Sequence, residues 1–469
     1  MDKNLVFIIS GRIVQILITL ASIRLLTSLL NPEEVGNYYL ATSILAFFNL
    51  VFLNAPGMYF SRHLLEWQRS KNLFNAIFIF ILWSLIVAVI SVLSLNVLFE
   101  ISNYGEKFDN QIFILFIILS ILVSTIHRNL IYGANTIGFT REFVIFSIIT
   151  SLIGLASSVG FIYLFEASSL YWLFGIISSE CLVLYFAFKF FIKGNLLDIK
   201  KIKATITKER LQKIFFFSLP VAVTTFLMWG QNMSYRFIID YKYSAEALGY
   251  IAIGLGIASS IFGSLEALIT QYFNPIFLKD LLDSTKEGRA KAWNKMASII
   301  MPIYFFALVF VITMSEKLII VLADNQFHES YHYTLIGAFI EFFRVTTNLL
   351  NGISQAELKT NKTILPYLIG FSVVVISLLI FDFSRNLTMI PLVLALGYFL
   401  VCFFMYIKMN KLLEIKTPIN LFKTFIYSTP FGIVFVLPSN DNIFYNLSCL
   451  AIFGIYFLIV SKSIIPMVP

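Results

Sequence analysis

Charged residues are scarce in this chain of 469 residues. Asp, Glu, Lys and Arg make up 13% of it, 59% of its residues are hydrophobic, and its mean hydropathy is +0.86. A soluble domain carries roughly 25% charged residues because its surface faces water. The composition therefore excludes an ordinary soluble protein and favours a chain that exposes apolar side chains to lipid.

Cysteine and histidine are also rare. The three cysteines, Cys181, Cys402 and Cys449, lie in long apolar stretches, so neither a disulfide framework nor a zinc site is indicated. His328 and His332 are four residues apart, but no Cys, Asp or Glu completes a set of four ligands, and we expect no metal site. Walker sequences and glycine-rich phosphate loops are missing as well. ATP is therefore excluded as the direct energy source, and no cofactor is expected.

Long apolar runs recur along the whole chain, separated by short polar connections. A bilayer core needs about 20 apolar residues for each helical crossing. The predicted spans are 5–30, 37–60, 73–99, 111–134, 142–165, 170–192, 214–239, 247–273, 293–314, 331–353, 363–381, 387–407, 421–438 and 444–461. This pattern predicts an all-α integral membrane protein of about 14 transmembrane helices, with no room for a catalytic domain outside the bilayer. We expect that it moves a substrate across the membrane, and that the first span is an uncleaved helix.

Lysine and arginine are distributed unevenly between the two sides. If alternate connections share a side, one set holds 25 of the 34 basic residues; it consists of the two termini and the connections that include 61–72, 193–213, 274–295 and 408–423. The opposite connections hold four of them: Lys107, Lys242, Lys317 and Arg385. The positive-inside rule then predicts a multi-pass protein of the cell inner membrane with both termini in the cytoplasm. The formal net charge of +8 reflects this bias and contact with anionic lipids, and we expect no nucleic-acid partner.

Two short motifs occur twice in the chain. Arg24-Leu-Leu followed by Glu34-Val-Gly36-Asn-Tyr38 is similar to Arg236-Phe-Ile followed by Glu246-Ala-Leu-Gly249-Tyr250, and Asn129-Leu-Ile-Tyr-Gly133 is similar to Asn348-Leu-Leu-Asn-Gly352. The consistent spacing predicts a duplication of six helices with parallel topology and a cavity between the halves. The predicted domains are two six-helix lobes at 1–192 and 214–410, a basic linker at 193–213, and two further helices within 411–469.

These motifs carry a resemblance to a known family. Gly11-Arg12-Ile-Val-Gln15, Ser22-Ile-Arg24-Leu-Leu-Thr27, Glu34-Val-Gly36-Asn-Tyr38 and Tyr243-Ser-Ala-Glu246-Ala-Leu-Gly249-Tyr250 resemble the oligosaccharide-lipid flippases of the polysaccharide transporter family. That family belongs to the multidrug/oligosaccharidyl-lipid/polysaccharide superfamily. The resemblance implies an O-antigen or capsule repeat-unit flippase, which carries an undecaprenyl-pyrophosphate-linked oligosaccharide from the inner to the outer leaflet. It implies a lipid-linked oligosaccharide as substrate and other polysaccharide-assembly proteins as partners.

Eight of the ionisable side chains inside the predicted spans are singled out here as candidates for a role. Each costs about 2.5–3.5 kcal/mol at the bilayer centre, so each needs a structural or functional reason. Five are basic and three are acidic: Arg12, Arg24, Arg128, Arg236, Arg344, Glu180, Glu266 and Glu341. This excess of guanidinium groups suits a cavity that attracts a pyrophosphate, because guanidinium binds phosphate oxygens through paired hydrogen bonds.

The first span carries a polar stripe. Arg12, Gln15, Thr19 and Ser22 recur at helical spacing, so they line either a cavity or a polar helix-packing face. Arg24 lies about 120° around the helix from Arg12 at 100° per residue, and its role in binding is implied by the resemblance.

The seventh and tenth spans carry further polar positions. Gln231 and Arg236 are equivalent under the repeat to Thr19 and Arg24, although Arg236 could instead reach the surface near Asp240. The tenth span has the longest stripe, which consists of Glu341, Arg344, Asn348, Asn351 and Gln355. Glu341 and Arg344 form either a neutral packing pair or part of a cavity wall that exchanges a proton.

The predicted roles are therefore divided between substrate binding and ion coupling. The substrate-binding set is Arg12, Gln15, Thr19, Arg24, Arg128, Gln231, Arg236, Arg344, Asn348 and Asn351. Glu266 and Glu341 are the predicted ion-coupling residues, with a proton or sodium as the coupling ion, and Glu180 has no assigned role. Arg128 could instead extend to the cytoplasmic surface.

Two other functions remain open at this point. A membrane-embedded polysaccharide polymerase or glycosyltransferase usually needs large outer loops, whereas the longest outer connection here is about residues 315–330 and is partly apolar. The other is a small-molecule exporter of the same superfamily. In sequence, only the number of helices and the excess of positive charge within the membrane distinguish a flippase from such an exporter. We expect no catalytic residues.

Overall fold

A computed structural model describes residues 3–70, 72–101, 108–191, 208–281, 285–357, 359–416, 420–438 and 440–464. Every regular element in these ranges is helical, and they contain no strand. The first helices are α1 (Lys3–Leu29), α2 (Pro32–Phe48), a π-helical turn (Asn49–Leu53), α3 (Asn54–Arg69), α4 (Leu73–Ile101), α5 (Asn110–Thr136), α6 (Thr140–Leu164) and α7 (Ser169–Phe191).

The remaining helices include three 3₁₀ segments. They are α8 (Lys208–Lys242), α9 (Ala245–Leu281), α10 (Lys286–Leu322), a 3₁₀ turn (Asn325–Ser330), α11 (Tyr331–Ala356), a 3₁₀ turn (Thr360–Thr363), α12 (Ile364–Ile380), α13 (Met389–Asn410), α14 (Asn420–Ser428), a 3₁₀ segment (Thr429–Val436) and α15 (Ile443–Ile464). Residues 193–207 of the predicted basic linker lie outside the described residues, and the rest of that linker forms the first turns of α8.

The all-helical membrane architecture predicted from the sequence is confirmed. In the described part of the chain, 12 helices are long and apolar enough to cross a membrane. The two other predicted spans are α11, which carries the polar stripe that starts at Glu341, and the segment Asn420–Val436. This segment is 9 residues of α-helix followed by a 3₁₀ stretch, because Pro430 cannot donate an intrahelical hydrogen bond.

The chain divides into two compact units. The N-terminal unit comprises Met1–Leu30 and Asn37–Trp229, and the C-terminal unit comprises Asn31–Gly36 and Gly230–Pro469. The division at Trp229 and Gly230 falls inside α8, so the first half of this helix packs with one unit and the second half with the other. The domain boundaries and the duplication that the sequence suggests stay predictions.

Small residues allow close helix contacts in the N-terminal unit. A Cβ at Gly175 of α7 would lie 2.3 Å from the backbone nitrogen of Ser158 on α6, and the Ser158 hydroxyl donates to the Trp172 carbonyl at 2.7 Å. Gly11 likewise lets α1 approach Val144 of α6. Such contacts are typical of helices in lipid, where small residues and hydrogen bonds replace the hydrophobic effect between helices.

The π-helical turn fixes the geometry between α2 and α3. The Leu50 carbonyl accepts a hydrogen bond from the Thr225 hydroxyl at 3.0 Å, and the Phe52 carbonyl accepts one from the Trp83 indole at 3.0 Å. Where a helix departs from the α-helical hydrogen-bond pattern, some carbonyl oxygens lose their partner within the helix. In the membrane these oxygens need a hydrogen bond from another group of the protein. The turn thereby ties α8 and α4 to the α2–α3 segment.

Helix α11 lies among α9, α10 and α13 in the C-terminal unit. The Thr334 hydroxyl donates to the Gly254 carbonyl of α9 at 3.0 Å, and Gly337 faces Ala258 one turn later. Helix α15 packs on α10 through Phe306 and Phe457, whose ring centroids are 5.1 Å apart. The helix that carries the longest polar stripe of the sequence therefore lies among other helices, as expected for polar side chains in a bilayer.

Candidate substrate-binding and ion-coupling sites

A charged network joins α9 and α11 inside the C-terminal unit. Arg344 donates from Nη1 to Glu266 at 2.9 Å and from Nε to Glu341 at 2.7 Å. The Asn348 amide donates to the other oxygen of Glu266 at 2.7 Å. Residues 341, 344 and 348 fall on one face of α11 because they are three and four residues apart, and Glu266 reaches that face from α9.

This network brings together four of the residues predicted from the sequence. Side-chain exposure is 22% for Arg344, 21% for Glu266 and 9% for Glu341, so all three charges are largely removed from solvent. One guanidinium between two ionised carboxylates leaves a net charge of −1, which one bound proton or monovalent cation would neutralise. The Nε and Nη1 of Arg344 each donate to a carboxylate, so an anion that approaches the guanidinium competes with these two bonds.

Three buried tyrosines surround the network from other helices. Tyr304 of α10, Tyr367 of α12 and Tyr398 of α13 interact electrostatically with the charges of Glu266, Glu341 or Arg344. These tyrosines lie on three separate helices and share no local spacing, so no sequence pattern indicates them. Each tyrosine places an apolar ring close to the network, and each ring carries one hydroxyl group at its edge.

Other predicted binding residues of the C-terminal unit make different contacts. Asn351 accepts a hydrogen bond from the Ser354 hydroxyl at 2.6 Å on its own helix. Arg236 lies 5.7 Å from the ring centroid of Tyr235, and its Nε donates to the Tyr235 hydroxyl at 3.3 Å. The Gln231 side chain is 1% exposed, and neither atom of its amide has a hydrogen-bond partner among the described residues.

The Gln231 side chain packs against glycines of two other helices, Gly370 of α12 and Gly397 of α13. A Cβ at Gly370 of α12 would lie 2.8 Å from the Gln231 Oε1, and a Cβ at Gly397 of α13 would lie 3.9 Å from its Nε2. A buried amide without hydrogen bonds is unfavourable by about 1–3 kcal/mol, so this position calls for a functional reason.

The polar stripe of α1 lies in the N-terminal unit. Arg12 donates to the Gln15 side chain at 2.9 Å, and the Thr19 hydroxyl donates to the Gln15 carbonyl at 2.9 Å. Thr19 is exposed, whereas Arg12, Gln15 and Arg24 are half-buried. Three of the predicted stripe positions are thus linked along one helix, and Arg24 lies outside these bonds as its angular position predicted.

A second polar cluster connects α5, α6 and α7. Ser124 donates a short hydrogen bond to Glu180, and the positive charge of Arg128, one turn along α5, acts on the same carboxylate. The His127 Nε2 lies 3.0 Å from the Thr150 hydroxyl, which itself donates to the Phe146 carbonyl at 2.8 Å. Thr150 has a single hydroxyl proton, so it accepts from His127, and the Nε2 of that ring carries a proton. Glu180 therefore has polar partners that the sequence did not reveal, because Ser124 lies 56 residues away.

No group of three or more His, Cys, Asp or Glu side chains that could hold a metal ion occurs among the described residues.

The sequence matches one protein-family model. Residues 25–332 fit the model of the family described as polysaccharide biosynthesis protein. No curated protein matches the chain.

Several solved structures share the fold. A lipid II flippase, MurJ, in an inward closed conformation aligns with a TM-score of 0.70 and 13% identity, over 98% of this chain and 98% of that one. An inward-facing multidrug resistance MATE family transporter of the MOP superfamily aligns with a TM-score of 0.62 and 13% identity, over 92% and 99%. A MOP superfamily transporter from Pyrococcus furiosus aligns with a TM-score of 0.57 and 11% identity, over 92% and 96%. The chain therefore has the fold of the MOP superfamily.

Proposed function

We propose that this chain, which belongs to the polysaccharide biosynthesis family, is a flippase for undecaprenyl-pyrophosphate-linked oligosaccharide repeat units. It would move them from the cytoplasmic to the periplasmic leaflet for the assembly of O-antigen or another surface polysaccharide. Two findings together support the proposal. The sequence belongs to a polysaccharide biosynthesis family, and its multi-pass membrane fold is similar to that of a lipid II flippase over 98% of the chain. Fold alone does not determine function, so the polar sites supply the rest of the argument.

In this proposal the arginines of α1 hold the pyrophosphate. Guanidinium stays charged when it is partly dehydrated and pairs with phosphate oxygens in a fixed geometry. Arg12 and Arg24 are half-buried, so their charges are less screened than those of fully exposed side chains. Gln15 and Thr19 would bind the sugars during transport. Their amide and hydroxyl groups form hydrogen bonds to sugar hydroxyls and to water with similar free energy, so the sugars can bind and leave easily.

Ion coupling is assigned to the network of Arg344, Glu266 and Glu341. A cation or proton that binds there removes the net charge of −1 and weakens one of the two bonds of Arg344. The equilibrium between inward- and outward-facing states would then depend on whether this site is occupied, because a ligand shifts a conformational equilibrium only through different affinity for the two states. Substrate export would thereby be coupled to an ion gradient.

The function is tested by deleting the gene in its own organism. We expect undecaprenyl-linked repeat units to accumulate on the cytoplasmic leaflet and the surface polysaccharide to be lost, with both restored by the wild-type gene. Normal surface glycan without accumulated intermediates, in a strain from which other flippases have been removed, would refute the proposal.

The similarity to MATE transporters favours one second candidate, a small-molecule exporter. The same deletion strain separates the two: an exporter predicts increased sensitivity to toxic compounds with unchanged lipid-linked sugars. A polymerase or glycosyltransferase predicts a third outcome, in which repeat units reach the periplasmic leaflet but remain single or incomplete.

A further inference from the structure

An apolar cavity of about 560 Å³ lies in the N-terminal unit between α3, α4 and the start of α8. Its walls include Trp67 from α3, Trp83 and Phe80 from α4, and Phe215 from α8. It follows α4 from Ala76 to Ile86, which is about 15 Å at 1.5 Å per residue. Its size is that of a pocket for one small ligand.

The cavity opens sideways into the region that the bilayer occupies. The lining side chains Leu82, Ile86 and Phe215 are 38%, 52% and 58% exposed, whereas Phe80 on the inner wall is 7% exposed. Most of the lining is apolar, and among the lining side chains only Tyr59 and Ser218 carry a hydroxyl, so the cavity offers water few hydrogen bonds. A hydrocarbon chain from the surrounding lipid can enter it without crossing a polar barrier.

The walls are fixed before any ligand arrives. The Trp83 indole is anchored by its hydrogen bond to the Phe52 carbonyl at the π-helical turn. Phe60 packs against both Trp67 and Phe80, with ring centroids 5.1 Å and 5.7 Å apart. A preformed apolar slot loses little conformational freedom when it binds a chain.

Basic residues flank one end of the cavity. Lys213 directly precedes the lining residues Ile214 and Phe215, and Arg69 follows the lining residue Trp67 by two positions; both cations are exposed. This end is the one that the distribution of lysine and arginine predicts to be cytoplasmic. An apolar slot with cations at its mouth fits a lipid whose phosphate lies at the interface while its chain lies below.

We infer that this cavity binds the first isoprene units of the lipid-linked substrate, those nearest its phosphates, at the cytoplasmic leaflet, with the phosphates near Arg69 and Lys213. The inference rests on the proposed function. A polyprenyl phosphate has a single chain below its phosphates, which matches one slot, whereas a glycerophospholipid has two chains to accommodate. The site would concentrate the substrate beside the transporter and hold its chain in place while the sugars enter.

The test uses the full-length protein in phosphatidylcholine nanodiscs and a polyprenyl phosphate that carries a photoreactive group in its chain. We expect the label on peptides that contain residues 56–86 and 214–218, and we expect unlabelled undecaprenyl phosphate to compete with it. Equal competition by phosphatidylglycerol would overturn the inference, since the cavity would then be a general lipid site. Label in the groove between α6 and α7, lined by Ile149, Leu182 and Phe186, would overturn it as well.

A matched pair of variants on α4 gives the sharpest control. Leu82 and Leu85 are 38% and 43% exposed, but only Leu82 lines the cavity. Leu82→Trp should weaken labelling about tenfold, the change expected when about two buried methylene groups lose their contacts. Leu85→Trp should leave the labelling unchanged, and an equal loss in both variants would contradict a site in the cavity.

The charged mouth is tested separately. Lys213→Gln and Arg69→Gln should each weaken labelling by the polyprenyl phosphate but not by the matching neutral polyprenol. If the polyprenyl phosphate labels the cavity but deletion of the gene leaves lipid-linked sugars unchanged, the flippase proposal is overturned and the lipid site stands. A clear flippase phenotype without labelling of the cavity would overturn only the site.

Discussion

Gly249 of α9 lies against Gly36 of α2: a Cβ at Gly249 would lie 3.2 Å from the Gly36 nitrogen and 2.0 Å from the Pro32 carbonyl oxygen. The contact is reciprocal, since a Cβ at Gly36 would lie 1.8 Å from the Ala245 carbonyl oxygen. Both glycines belong to the motif that occurs twice in the sequence. The two copies of the motif are therefore in contact with each other, and each glycine is needed because backbone approaches it where a side chain would stand.

This contact predicts that larger residues at either glycine destabilise the protein. Gly249→Ala and Gly36→Ala should each cost about 1–3 kcal/mol, because the clashing atoms are backbone and can move only with their helices. The matched control is Gly263→Ala on the same helix α9, where a Cβ would meet no atom within 4 Å. Thermal unfolding of the purified protein in detergent is the measurement, and equal melting temperatures for Gly249→Ala and Gly263→Ala would contradict the packing role.

The second prediction concerns the charge network of α9 and α11. Arg344→Ala should lower the amount of folded protein in the membrane, since removing one partner of a buried ion pair costs about 3–5 kcal/mol. The triple variant Arg344→Met, Glu266→Gln and Glu341→Gln should restore the folded amount without restoring surface polysaccharide. Full transport by the triple variant would show that the network serves packing alone.

A control pair for this network joins the start of α10 to the end of α11. Arg289 and Glu357 form an ion pair with an Nε to Oε1 distance of 2.6 Å, and Arg289 is more exposed than any member of the network. Arg289→Gln removes an ion pair of similar burial outside the network, so it should leave transport per folded molecule unchanged even if it lowers the folded amount.

The third prediction separates stability from function at Gln231. Replacement by Leu, which has a similar size and no polar atoms, should raise the melting temperature because a buried unbonded amide costs about 1–3 kcal/mol. The same variant should lower transport if the amide serves the substrate. Gln355→Leu on the exposed end of α11 is the control, and unchanged transport in Gln231→Leu would remove Gln231 from the binding set.

The fourth prediction tests the anion site of α1. Arg12→Ala and Arg24→Ala should each reduce surface polysaccharide while leaving the protein folded in the membrane. Lys should rescue partly because it keeps the charge but loses the paired hydrogen bonds, and Glu should be worse than Ala because it repels phosphate. Arg385→Ala in the exposed connection between α12 and α13 serves as the control. Normal glycan in both Ala variants would assign Arg12 and Arg24 to packing or to the membrane surface.

The fifth prediction concerns orientation. Reporters fused after Lys71, Lys201 and Lys411 should report a cytoplasmic position, and those fused after Glu106 and Asp324 a periplasmic one, because of the positive-inside rule. An alkaline phosphatase and a fluorescent protein fused at the same positions give opposite signals and so check each other. A reversed pattern would overturn both the orientation and the proposed direction of transport.

The sequence by itself determined the fold class, because a bilayer allows few solutions for a chain with so few charges. Each apolar run of about 20 residues had to become a helix, since backbone groups in lipid must be paired within the segment. It also indicated the pair of Glu341 and Arg344, which are three residues apart on one helix. The motifs around Gly36 and Gly249 were visible as a repeat, but their contact was not.

Only the tertiary structure decided which distant residues meet. It brought Glu266 to Arg344 across 78 residues and Ser124 to Glu180 across 56, and it gathered Tyr304, Tyr367 and Tyr398 from three helices. It also formed the cavity lined by Trp67, Trp83 and Phe215. Helical periodicity fixes which side chains share a face, but which faces meet depends on small residues, π-helical turns and hydrogen bonds between helices, and these act over distances in sequence that no local pattern records.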